Sequence, residues 1–160
     1  SRTASAGKFK GGLASNGEIE TKYHTATHLL NAALKETVSK TVHQKGSNIT
    51  PERMRFDFSC DHKLSEEEIK NTENLVNKWI KEDLPVTVEE MKKEDAVKSG
   101  AECMFIEKYP DIVTVYKIGT VSSELCGGPH VKHTGVLGTF KIIKEEASSS
   151  GVRRIKAILE

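Results

Sequence analysis

The chain has 160 residues, a formal net charge of +1, 36% hydrophobic and 29% charged residues, the balance of one folded domain rather than of a disordered chain. No apolar run approaches the ~20 residues of a membrane span, and Ser1 to Lys10 contain no apolar signal core, so a cytoplasmic protein without a membrane partner is expected. Three widely spaced cysteines, Cys60, Cys103 and Cys126, argue against a secreted disulfide framework and for a reducing compartment.

Residues 1–17 are rich in Ser, Gly and Ala and read as a lead-in to a domain of residues 18–160; with no initiator Met, the sequence is expected to be a piece of something longer. Ala26, Leu29, Leu30, Ala33, Leu34 and Val38 recur at helical spacing and predict a helix from about Glu18 or Thr21 to Ser39. Met54, Phe56 and Phe58 alternate with Arg55 and Asp57, the pattern of a half-buried strand. Ser65 and Glu68 form a capping-box signal for a helix that carries Ile69, Val76, Trp79 and Ile80 and ends near Asp83, before Pro85. A short strand at Val86 and Val88 and a short helix over Glu94 to Ser99, stopped by Gly100, come next. Strands follow at Ile112 to Ile118, Glu124 to Cys126, Phe140 to Lys144 and Val152 to Ile158, without steady βαβ alternation. The expected fold class is α+β, two-layered, with helices on one face of a largely antiparallel sheet.

Chemistry concentrates in two short stretches. His24 and His28 stand four apart on the first predicted helix, where neighbouring Cβ atoms are ~5–6 Å apart and two imidazoles can hold one ion. Two ordinary histidines would look the same, but both point well over 100° away from the apolar stripe, so they are exposed or meet another element. Cys126 and His130 stand at the ends of Cys126-Gly127-Gly128-Pro129-His130, where two glycines and a proline suit a tight bend. Together the two stretches supply three imidazoles and a thiolate, ligand types that zinc prefers. His133 is a reserve ligand, and Cys60 and Cys103 are read as unligated thiols. Thr25 stands where a zincin protease needs Glu, which excludes that class.

At these residues the sequence resembles the editing domain shared by alanyl-tRNA synthetases, free-standing AlaX proteins and many threonyl-tRNA synthetases. The matching stretches are Phe9 to Ala14, His24 to Leu30, Gln44 to Ser47, Arg55 to Ser59, Glu124 to Gly128 with His130, and Gly151 to Ile155. The Gln44, Arg55 and Gly151 stretches resemble the alanyl branch, whereas Pro129 is commoner in the threonyl branch. The resemblance implies Zn2+ held by His24, His28, Cys126 and His130, and hydrolysis of serine or glycine from mischarged alanine tRNA at its 3′ end. It further implies a substrate pocket involving Gln44, Thr25, Gly127 and Gly128, with Gln44 sensing the serine hydroxyl. The tRNA is the expected partner, with the rest of an alanyl-tRNA synthetase beside it. Arg153, Arg154 and Lys156 are candidates for phosphate contact, although a basic strand end is more often simply solvated. The alternatives are an editor of serine on threonine tRNA and an inactive zinc-stabilised binding module. Both require the same ligands, so the residues leave them open.

Overall fold

The computed structural model describes residues 13–102 and 109–160, with side chains from residue 17 onward. The expectations for Lys8 to Gly12 and for Cys103 lie outside the described residues. The order is α1 (Leu13–Thr37), β1 (Gln44–Thr50), β2 (Arg53–Ser59), α2 (Glu66–Lys81), β3 (Val86–Lys92), α3 (Lys93–Lys98), β4 (Ile112–Ile118), β5 (Ser122–Leu125), a 3-10 turn (Thr134–Leu137), β6 (Phe140–Ser149) and β7 (Val152–Leu159). The α+β class and the antiparallel pairing stand as expected, but the strands form two sheets. One has four strands in the order β1-β2-β7-β6, the other three in the order β3-β4-β5.

Helix α1 is the central element. Its Ala26, Leu29, Leu30, Ala33 and Leu34 are fully buried and share one core with Met54, Phe56 and Phe58 of β2, Val76, Trp79 and Ile80 of α2, and Ile155 and Ala157 of β7. The alternation in β2 aims three large side chains at α1. The outward Asp57 is covered instead by Arg154 of the neighbouring β7, through bonds of 2.9 and 3.1 Å. Helix α2 opens as expected: Ser65 Oγ accepts from the Glu68 amide and Glu68 Oε1 from the Ser65 amide, each at 3.0 Å. A smaller core under the three-stranded sheet contains Ala96, Val113, Val115 and Leu125. Gly100, at φ +84, follows α3 as the expected C′ glycine.

Three boundaries differ from the sequence reading. Helix α1 begins at Leu13, inside the expected lead-in. Gln44–Thr50 is a strand where no alternation signalled one, because its register comes from pairing with β2. Strand β6 runs on to Ser149, its polar half paired against β7. Among the described residues no helix is long and apolar enough to cross a membrane.

Candidate metal centre

Two elements far apart in sequence meet at one point. His24 and His28 project from α1 towards the loop that leaves β5, and there meet Cys126 and His130. One ligand atom from each of the four lies within 4.8 Å of the others. The Cys126 sulfur is 3.2 Å from His24 Nε2 and 3.3 Å from His130 Nε2. His24 and His130 stack with ring centroids 4.3 Å apart, and His28 stands edge-on to both. The histidines face away from the main core because β5 and its loop cover that side of α1.

The loop that carries Cys126 and His130 is fixed by its own contacts. The Cys126 amide donates to Thr114 O on β4 at 3.1 Å. The Gly128 amide donates to the Cys126 sulfur at 3.4 Å, and the Gly128–Pro129 peptide is cis. Gly128 has φ +70, and a Cβ there would fall on the Tyr116 hydroxyl, so both backbone and space require glycine. The Tyr116 ring lies against His130, centroids 4.4 Å apart.

Hydrogen bonds set the imidazole tautomers. His24 Nδ1 lies 3.1 Å from Pro129 O, which can only accept, so Nδ1 carries the proton and Nε2 presents its lone pair to the cluster. Thr25 Oγ1 donates to Thr21 O at 3.3 Å and accepts from the Val131 amide at 3.1 Å and from His130 Nδ1 at 3.0 Å. That again leaves Nε2 free on the cluster side. His28 Nε2 faces Glu124 Oε1 at 3.5 Å, and Asn31 donates to Glu124 Oε2 at 3.4 Å. His28 Nδ1 is then a buried nitrogen with no partner among the described residues, an arrangement that is costly unless something fills it.

The electrostatics favour neutral imidazoles. Burial lowers the pKa of His24, and burial together with His130 and His24 holds His28 well below the ordinary value. Burial and the neighbouring His24 bring His130 down to about 3. Burial also raises the Cys126 thiol and pushes the Glu124 carboxyl up to about 8. Neutral imidazoles are the ligating form, and a buried His28 nitrogen without a partner, on a residue of a cluster that holds a sulfur, fits a thiophilic cation. The Glu124 carboxyl behind His28 and the Thr25 hydroxyl behind His130 stand where hydrogen-bonding supports of such ligands ordinarily stand.

The cluster lies between two cavities. One of about 880 Å3 is bordered by His24, Pro129 and Val131 and by Ser47, Asn48 and Ile49 of β1. The other, about 650 Å3, has Asn31 and Glu124 in its wall together with Lys35 and Glu102. Thr25, expected in a pocket, is fully buried behind His130. Gly127 and Gly128 form the loop itself, and Gln44 lies at the start of β1, opposite Phe58. His133, the reserve ligand, bonds Asp83 instead and stands outside the cluster. Asn31 and Glu124 were missed as supports; Asn31 stands three residues after His28, hence on the same helix face, which is a usable signal. Arg153 bonds Glu145 at 2.7 and 2.9 Å, Arg154 bonds Asp57, and Lys156 lies 3.4 Å from Glu146.

The model of the family described as threonyl and alanyl tRNA synthetase second additional domain matches residues 113–156, which include Cys126 and His130. Over all 160 residues the chain is 59% identical to the alanine–tRNA ligase of Treponema denticola, covering 27% of that protein, and 56% identical to that of Treponema pallidum, covering 26%. The alanine–tRNA ligase of Thermotoga maritima is 54% identical over 141 residues, 88% of this chain and 16% of that protein. Residues 113–156 are thus similar to the second additional domain of threonyl and alanyl tRNA synthetases, and the whole chain is similar to one segment of alanine–tRNA ligases. The chain spans about a quarter of the length of the Treponema ligases it matches. The family match begins in β4, so the α1 histidines lie outside the matched stretch and are brought to it by the fold.

Proposed function

We propose that this domain is the proofreading hydrolase of an alanine–tRNA ligase, cleaving the ester that joins a wrong amino acid, serine or glycine, to alanine tRNA. The carrying observation is the convergence of His24, His28, Cys126 and His130 beside open cavities in a chain similar to one segment of alanine–tRNA ligases. The chemical need is plain. A synthetic site shaped for alanine excludes smaller glycine weakly and rejects serine, which only adds a hydroxyl, little better, so a second hydrolytic site is required.

Zinc is the ion proposed for the cluster. Tetrahedral bonds of ~2.0–2.1 Å to nitrogen and ~2.3 Å to sulfur put ligand atoms roughly 3.3–3.6 Å apart, close to the 3.2 and 3.3 Å already found around Cys126. Bound zinc would polarise a substrate oxygen or hold the ester in place. The chain's own work is orientation: Pro129 O fixes His24, Thr25 fixes His130, and Glu124 fixes His28. Glu124 and Asn31 also border the 650 Å3 cavity.

Gln44 is proposed to tune selectivity. Its neighbour His43 reaches Glu102 at 3.2 Å, and Glu102 is bridged to Glu124, which brings the start of β1 to the β5 side of the cluster. Gly127 and Gly128 are proposed to leave the loop low enough for the aminoacyl ester to approach.

The test is a deacylation assay with seryl- and glycyl-alanine tRNA, alanyl-alanine tRNA and seryl-threonine tRNA. Release of serine and glycine from alanine tRNA, with loss in Cys126→Ala, is expected. Release from threonine tRNA alone would assign the chain to the other branch, and zinc binding without release would make it a binding module.

A further inference from the structure

A second group of metal-ligating side chains lies away from α1, on the loop between β2 and α2. Cys60 Sγ, Asp61 Oδ1 and His62 Nδ1 all lie within 4.8 Å of one another. We propose that this loop is a second cation site, taking a zinc-class divalent ion on Cys60, Asp61 and His62.

Three observations carry it. First, the cysteine is held in place. The Cys60 amide donates to Gly151 O at 3.0 Å, its side chain packs on the main core, and its thiol donates to His62 O at 3.3 Å. Second, the imidazole is already oriented. His62 Nε2 stands 3.1 Å from both Glu68 carboxylate oxygens, and Glu68 is itself fixed by the Ser65 capping box. A carboxylate on one ring nitrogen commits the other to face the ion, the arrangement that supports metal-bound histidines generally. Third, His62 Nδ1 is 2.6 Å from Asp61 Oδ1 and 3.8 Å from Cys60 Sγ. At 2.6 Å a proton joins the two atoms, since ligands of one tetrahedral zinc-class ion stand roughly 3.3 Å or more apart. An arriving divalent ion replaces that proton as the exposed Asp61 carboxylate draws back by under about 1 Å, to the ligand spacing of a tetrahedral ion, and the protons of Nδ1 and of the thiol leave to solvent.

The donor set selects the ion. A thiolate with an imidazole favours zinc or cobalt(II) over magnesium or calcium. The loop is exposed at Asp61 and His62, so water completes the shell, as in open three-ligand sites. The nearby Arg153 does not stand against the ion as a free charge, because Glu145 binds it through two bonds. The site shares no residue with the α1 cluster, and it would tie the end of β2 to the start of α2.

Metal-free, reduced protein is titrated with zinc against a chromophoric chelator. Two equivalents are expected in the wild type, and one in Cys60→Ser and in His62→Ala. A wild-type stoichiometry of one, or two equivalents persisting in both variants, would overturn the proposal. Because a variant can misfold, the wild type is also alkylated with iodoacetamide, and Cys60 is separated from Cys103 and Cys126 by peptide mapping. The second zinc equivalent should slow alkylation of Cys60 by about an order of magnitude, since the attacking thiolate is taken up by the metal, and millimolar magnesium should not. Unchanged alkylation of Cys60 would equally overturn the assignment.

Discussion

Thr25 makes one contact on which the orientation of His130 depends, and it makes it with a side chain that valine can replace in shape. Thr25→Val removes the acceptor of both His130 Nδ1 and the Val131 amide. A lost support of this kind lowers metal affinity roughly 10–100-fold, and the unpaired amide costs about 1–3 kcal/mol. Competition with a chelator should show the first effect and urea denaturation the second; an unchanged zinc affinity would mean that His130 needs no orienting hydroxyl. Gln44→Ala should leave zinc content alone and change the ratio of serine to glycine release, and a constant ratio with an intact fold would reduce Gln44 to an ordinary strand residue. The four side chains of the cluster were legible in the sequence because each pair is local: its members stand four residues apart, on one helix or in one turn, and fix their own geometry. Thr25 and Glu124 were not legible as supports. What they do depends on which atom of the other element arrives opposite them, and no spacing within either stretch encodes that.

At the level of elements, amphipathic patterns and caps carried most of the reading. Helix α2 was placed by Ser65, Glu68 and one apolar face, and its ends agree with the structure to within about a turn. Strand β1 was missed because Gln44-Lys45-Gly46-Ser47-Asn48 has no apolar period; it is a strand because β2 offers a ladder and because it lies at the sheet edge, where few side chains need burial. The polar half of β6 was missed for a related reason: Glu145 is there to meet Arg153 across β7, not to fill a core. That pair makes a pH-dependent contribution. Burial works to raise the Glu145 carboxyl, but the Arg153 bonds and the Leu64 amide outweigh it and hold the group below its ordinary 4.5. A carboxyl depressed in the folded state stabilises fully above its unfolded value and loses that contribution as pH falls through the folded one. Glu145→Gln should therefore be less stable than wild type at pH 7, by on the order of 1–2 kcal/mol for a charge-assisted bond. The difference should shrink below about pH 4.5 as the wild-type carboxyl protonates, as read from urea midpoints across that range. A difference that stays constant down to pH 3 would show that shape, not charge, makes the contact.

For the whole molecule, the sequence suggested one sheet under helices, whereas two sheets flank α1, and only that arrangement brings the β5 loop onto the histidines. Neither the split nor the meeting was visible from local patterns, since both depend on long-range pairing, such as Pro85 with His133 and Glu102 with Glu124. Charge was more readable. The net charge is +1, and the three basic residues considered for phosphate contact each face an internal carboxylate: Glu145, Asp57 and Glu146. Releasing them to a phosphate would forfeit those pairs, so they offer little net attraction to a nucleic-acid backbone. Each phosphate neutralised on a duplex adds roughly 0.9 to the salt slope of binding; with few such contacts the slope for this domain should be shallow. The proposed hydrolysis would need only the terminal aminoacyl-adenosine at the cluster. The chain covers about a quarter of its Treponema relatives, and the remaining length of such a ligase is where contacts to the tRNA body are expected. Seryl-alanine tRNA and a seryl acceptor-stem mimic should therefore be deacylated by this domain at similar rates, at both low and high salt. A strong preference for intact tRNA that collapses as salt rises would mean that phosphate contacts are made here after all. Arg153→Ala, Arg154→Ala and Lys156→Ala would then locate them, each real contact reducing the salt slope by about one.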